Sequence, residues 1–154
     1  RSSDLDGEEL GIVGIETKYH EHAVAEARPK PAALARYVEV TERSAAFVDD
    51  WRSRILGTDL QQIWLDHLLV LSMLQHPSKR WTWGRFVLAF PKANPSFAAA
   101  ATRYGELLRD RSTFEMRTIE DLASPVVLGE EAARGFRDRY LGSLERLDGG
   151  ARSA

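Results

Sequence analysis

Hydrophobic positions along this chain change spacing several times, and each change marks an element. Residues 1–10 are polar and rich in Asp and Glu, with Asp6-Gly7 as a turn signal. The run through Leu10, Ile12, Val13 and Ile15 is short and β-branched, so Leu10 to Tyr19 is predicted to be a strand. The Asp-Gly pair ahead of it suggests a hairpin whose first strand would lie upstream of Arg1. Residues 20–30 are charged and irregular. They close on Pro29-Lys30-Pro31, where Pro31 suits the first turn of a helix reaching about Arg43. Leu34, Tyr37, Val38 and Val40 supply that helix with an apolar stripe. After a linker holding Asp49, Asp50 and Gly57, Thr58 or Asp59 is expected to cap a helix from Leu60 to Gln75. Leu68, Leu69, Val70, Leu71, Met73 and Leu74 make its later half apolar almost all round, which predicts burial. His76-Pro77 ends it.

A second strand is predicted at Arg85 to Phe90, a run too apolar to have one wet face, and Pro91 closes it. Asn94-Pro95 opens a helix running to about Arg109, with Pro at its first position. Thr113 to Thr118 reads as a short strand, and Thr118 with Asp121 resembles a capping box. A last helix is expected from Glu130 to Leu147, with a frayed tail from Gly149 on. The order of elements predicts an α/β fold, one domain over residues 1–148, with helices on both faces of a small mixed sheet.

Composition narrows the class. At 154 residues, 44% hydrophobic and 29% charged, the chain can bury one good core. It has no cysteine, which removes disulfides and every cysteine-ligated metal site and suits a reducing cytoplasm, the expected location. No apolar run approaches the roughly 18 residues of a membrane span. The chain opens at Arg1 without a leader-like segment and reads as the C-terminal part of something longer. A net charge of −2 lacks the basic footprint of a nucleic-acid binder, yet leaves room for a local basic surface.

One constellation carries chemistry. Residues two apart on a strand project on the same side, so Glu16 and Lys18 are expected to point together while Val13, Ile15 and Thr17 take the other face. A carboxylate that holds Mg²⁺, beside a lysine that orients water or steadies an oxyanion, is what metal-assisted phosphodiester hydrolysis requires. A second carboxylate would come from the neighbouring strand. The plain alternative is a surface ion pair worth roughly 0–1 kcal/mol.

Three stretches sharpen the choice: GIVGIETKYHEH, TDLQQIWLDHLLVLSML, and RFVLAFPKANPSF with the later RYGELLRDRSTFEMRTIEDL. Together they resemble a bacterial, restriction-endonuclease-like branch of the PD-(D/E)XK nuclease superfamily, from about residue 9 to residue 124. The resemblance implies a restriction-endonuclease-like core whose first strands are missing or incomplete here. It also implies Glu16 as metal-binding acid, Lys18 as catalytic lysine, Mg²⁺ or Mn²⁺ as cofactor and DNA as partner. The motif's Asp belongs on the strand before Glu16. Asp4 and Asp6 are the candidates within the chain, and both read better as turn residues.

Other residues stand further out. His20 continues the Glu16/Lys18 face if the strand persists, and His20-Glu21-His22 resembles half of a zinc site or a solvated loop. Gln62 and Asp66 share a helix face, and the resemblance favours Gln62 as the polar residue leaning toward the metal. Lys79 to Arg85 mixes cations with tryptophans, as strand-gripping loops and ordinary core edges both do. The rival to a nuclease is a fold that lost its chemistry and binds nucleic acid or a partner protein.

Overall fold

The computed structural model describes residues 9–141. Three strands, β1 (Gly11–Thr17), β2 (Trp83–Phe90) and β3 (Phe114–Thr118), lie side by side in chain order. Both pairings are parallel, with Gly14 opposite Phe86 and Phe86 opposite Phe114. Parallel neighbours need long crossovers, and these carry the helices. Between β1 and β2 run α1 (Pro31–Ser44), α2 (Trp51–Ile55) and α3 (Gln61–Leu74). Between β2 and β3 runs α4 (Pro95–Glu106). After β3 come α5 (Ile119–Leu122), α6 (Pro125–Leu128) and α7 (Glu130–Phe136), then a π-helical turn at Arg137–Leu141.

The expected mixed sheet is therefore parallel throughout among the described residues. The antiparallel partner that would have made it mixed was placed upstream of β1, outside those residues. Helices do flank both faces, but unequally. On one face Ile63, Trp64, Leu71, Phe86, Leu88, Phe97 and Tyr104 form a continuous core. On the other, Ala89, Ile119 and Ala123 make a small cluster near the carboxyl ends of the strands, while Val13 and Ile15 remain 50% and 62% exposed.

The seating of α3 on the sheet decides where everything else falls. A Cβ at Gly14 would stand 2.9 Å from one Val70 methyl, and a Cβ at Gly84 2.8 Å from the other. Two glycines on adjacent strands thus form a notch, and Val70 fills it. Any larger residue in the notch would push α3 off the sheet.

Local chemistry sets most helix starts. The Asn94 side chain accepts from Phe97 N at 3.2 Å, and Thr118 accepts from Asp121 N at 3.2 Å. Pro31 occupies the first turn of α1. At α3 the cap position falls on Leu60, with Thr58 Oγ1 accepting from Leu60 N at 3.2 Å, so neither Thr58 nor Asp59 is the cap itself. Residues 51–55, read from sequence as linker, form α2, where Trp51 and Ile55 plug the core. The final helix starts at Glu130 as expected but leaves α geometry at Phe136, and its expected end at Leu147 lies outside the described residues.

Candidate active site at the end of the first strand

Alternation along β1 places Ile12, Gly14 and Glu16 under α3, and Lys18 continues that side one residue past the strand. Lys18 N still donates to Ala89 O at 2.9 Å, so the ladder holds its backbone in place. Its side chain is only 6% exposed, with Nζ 2.8 Å from Glu16 Oε1 and 6.0 Å from the centre of the Phe97 ring. The Glu16 side chain is 39% exposed. A buried ammonium is costly unless paired, and this one has its carboxylate on one side and an aromatic face nearby. Lys18 is thus buried while Glu16 stays open to solvent, which puts the pair at the edge of the core.

α3 brings a third group. Val70 sits over Gly14, and one helical turn back from Val70 is Asp66. A turn of four residues spans about 6 Å, and two strand residues span about 6.6 Å. Asp66 therefore stands over Glu16. Its Oδ2 is buried without a hydrogen-bond donor. Burial first, and then the Glu16 charge, push the Asp66 carboxyl up to about 6, with Lys18 acting the other way and Glu26 adding to the rise. Sequence reasoning paired Asp66 with Gln62 and preferred Gln62. The overlooked signal was a lone acid among Ile63, Trp64, Leu65 and Leu68 in a buried helix. Gln62 is half-buried one turn further toward the helix start.

The irregular segment 20–30 is pinned across this end of the sheet. Asn94 Nδ2 donates to Glu21 O at 2.9 Å, Ala23 N to Ser96 Oγ at 2.8 Å, and Gln61 Nε2 to Ala27 O at 2.8 Å. Gln61 Oε1 accepts from Gly57 N at 2.9 Å, so one buried amide ties the strap to the loop before α3. Gln61→Ala is expected to cost about 1–3 kcal/mol, because both partners lose a hydrogen bond together. A urea unfolding curve measures it, and an unchanged midpoint would mean the strap is not held there.

The remaining candidates fall elsewhere. His20 is exposed, its ring edge-on to Tyr19, in a cleft of about 230 Å³ with His22, Pro91 and Asn94. Neither Glu16 nor Lys18 lines that cleft. Asp4 and Asp6 lie outside the described residues. Trp83 pairs with Gly11, so the Lys79–Arg85 segment sits at the opposite end of the sheet from Glu16. A cleft of about 570 Å³ opens on the far face, among Val13, Trp83, Arg85, Val87 and Arg117, and contains neither Glu16 nor Lys18. Arg85 there bonds Glu115 at 2.9 Å, and Arg117 shares the same carboxylate.

For a metal ion the described residues bring no three His, Cys, Asp or Glu side chains together. Lys18 Nζ lies against Glu16 Oε1, and Asp66 Oδ2 is a buried acceptor without a hydrogen-bond partner. Carboxylate oxygens are the donors that hard divalent ions take. No helix among the described residues is long and apolar enough to cross a membrane.

Comparison with known proteins adds one finding. Neither a curated protein nor a solved structure gives a significant match. A family model described as the PD-(D/E)XK nuclease superfamily matches residues 3–142. Nearly the whole chain is covered, including the strand that bears Glu16 and Lys18 and the helix above it. The chain belongs to the PD-(D/E)XK nuclease superfamily.

Proposed function

We propose that this chain carries the catalytic strand of a divalent-metal-dependent nuclease that hydrolyses phosphodiester bonds in DNA. Glu16 is a metal ligand, and Lys18 orients the attacking water or steadies charge on the phosphate. The observation that supports this reading best is the Lys18 ammonium, 5% exposed overall and 2.8 Å from Glu16 at the carboxyl end of β1. An ion pair kept only for the surface has no reason to sit under a helix.

Membership in the superfamily points to nuclease activity, nucleic-acid binding and divalent metals in general. The identity of the ion as Mg²⁺ or Mn²⁺, DNA as the substrate and a restriction-like role are parts of the proposal. When bound, the ion supplies Lewis-acid polarisation of the phosphate and a more acidic water. The chain's own groups do the rest. Glu16 Oε1 holds Lys18 Nζ one pleat away, so both side chains serve the same phosphate. The Phe97 ring lies near the ammonium within the core, and the Glu26 charge on the strap adds to the rise in the Asp66 pKa.

Full-length protein is expected to cut plasmid or single-stranded DNA with Mg²⁺ or Mn²⁺. Glu16→Gln and Lys18→Met should each slow cleavage by about 10²–10³-fold, the size seen for losing one charge-stabilising group. Quantified gels follow the rate. The second reading, a module that kept the fold and lost the chemistry, draws on the acidic balance of −2. DNA binding without cleavage under either metal would move the case to it.

A further inference from the structure

We infer that the cleft on the far face of the sheet binds single-stranded nucleic acid, with one base stacked on the Trp83 indole and the adjoining phosphate at Arg85. The inference involves neither Glu16 nor Lys18. It goes beyond hydrolysis and puts a strand-holding contact at the other end of the sheet.

Three observations carry it. The first is the platform. Trp83 pairs with Gly11 across β1 and β2. A Cβ at Gly11 would stand 2.0 Å from Trp83 Cε2 and 2.0 Å from Cζ2, with Cδ2 at 2.6 Å. Those distances put it over the face of the ring, so the indole lies flat on the bare backbone of β1. Its other face opens on the cleft, and the residue is 48% exposed. A ring held flat from one side and open on the other offers its whole area to a base.

The second is the placement of charge. Arg85 follows Trp83 by two residues on the same side of β2, a rise of about 6.6 Å, so a base and its own phosphate can meet both. Glu115 accepts from Arg85 at 2.9 Å and from Arg117 as well, so one carboxylate serves two guanidiniums. Each guanidinium carries five N–H donors, which leaves most of them open to a phosphate. The cleft's other acid, Asp121, lies at the end away from Trp83 and is paired with Lys92 at 3.2 Å.

The third is the surrounding sequence. Residues 67–105 contain Lys79, Arg80, Arg85, Lys92 and Arg103 and no Asp or Glu, in a chain whose net charge is −2. Lys79 and Arg80 are exposed just ahead of Trp83 and make no ion pair among the described residues. The Arg80 guanidinium lies 5.3 Å from the centre of the Trp81 ring. Cations interleaved with open rings suit a single strand, which lays its backbone on the charges and its bases on the rings. A duplex keeps its bases stacked on one another and gains the charges alone.

The test measures binding with divalent metal removed, so its outcome does not depend on whether Glu16 and Lys18 hydrolyse DNA. In EDTA, the full chain is titrated into an end-labelled oligo(dT) of about 15 nucleotides. Fluorescence anisotropy is followed at several salt concentrations. Trp83→Ala should weaken binding at least about fivefold, the loss of one stacked base, while Trp83→Phe keeps most of the affinity. Arg85→Gln should also weaken it and lower the slope of log affinity against log salt by about 0.7, one phosphate contact. Melting temperatures separate a lost contact from a lost fold, and Trp83→Phe, which keeps a ring over Gly11, guards against a poorly folded Trp83→Ala. Wild-type affinity in both Trp83→Ala and Arg85→Gln would overturn the inference and leave the nuclease reading standing. An equal loss on a duplex of the same length would overturn it too, by showing charge at work without stacking. Displacement of the oligonucleotide by polyglutamate at matched charge would assign the cleft to an acidic protein instead. A wild type that binds no oligonucleotide would leave the cleft without its occupant, and the inference would fall.

Discussion

Glu16→Ala should destabilise the protein by about 2–3 kcal/mol, while Lys18→Met should change its stability by less than about 1 kcal/mol. The asymmetry follows from burial. The Lys18 side chain is 6% exposed, and Glu16 is its charged partner at 2.8 Å. Without Glu16 the ammonium keeps only the attraction of the Asp66 carboxylate, and breaking a fully enclosed pair costs about 3–5 kcal/mol. Glu16 is 39% exposed, so water replaces part of what it gave, and the lower end applies. Lys18→Met instead removes the charge that needed a partner. Its thioether can pack toward the Phe97 ring, and the stranded Glu16 turns to solvent. Urea midpoints of the two variants against wild type decide the matter. Equal losses would mean that Lys18 is wetter than its burial implies, and the buried ammonium would lose its support. The comparison also guards the cleavage assay: an inactive Lys18→Met that is as stable as wild type has lost chemistry, not structure.

How much of this was legible in the sequence depended on the range of each interaction. Period-two alternation is local, so the shared side of Glu16 and Lys18 could be read from the strand alone. Capping is local too, and Asn94 and Thr118 cap where expected. Five residues of α2 are too few to show a helical period, and Trp51 and Ile55 are recognisable as anchors only when the core they fill is seen. Strand direction depends on partners far away in the chain: the described strands pair in parallel, and the antiparallel partner that made a mixed sheet the expectation lies outside the described residues. The depth of Lys18 and the position of Asp66 follow from how α3 seats on Gly14 and Gly84. Nothing within α3 reveals which strand residue its acid will face. Gln61 is buried because segment 20–30 folds over it, a contact that no pattern within α3 reveals.

The same seating places His67 where it cannot carry a charge, and a pH-dependent stability should follow. His67 is fully buried. Nδ1 lies 2.9 Å from Tyr104 Oη and Nε2 3.0 Å from Thr113 Oγ1, among the rings of Phe47, Phe86 and Phe114. Burial pushes its pKa down from 6.5 to about 4. Between those values the unfolded chain binds a proton that the native state refuses, so stability is complete above pH 6.5 and falls as pH drops toward 4. At 1.36 kcal/mol per unit, the loss from this residue is about 3 kcal/mol. Asp66 works the other way: its carboxyl, raised from 3.8 to about 6, binds a proton more readily in the native state and gains stability as pH falls through 6. Asp66 is partly wetted, so its gain is the smaller and the net slope in wild type keeps the sign of His67. Glu21, Asp110, Glu115 and Asp121, whose pKa values are lowered, lose their contributions only nearer pH 4, so the useful window lies above that. Urea unfolding at steps from pH 7.5 to 4.5 should show Asp66→Asn falling more steeply than wild type. His67→Gln keeps a donor and an acceptor for Tyr104 and Thr113 but does not titrate, and should be flatter than wild type. If His67→Gln retained the wild-type slope, the proton would be binding elsewhere, and the imidazole would not be the buried neutral group that its surroundings require.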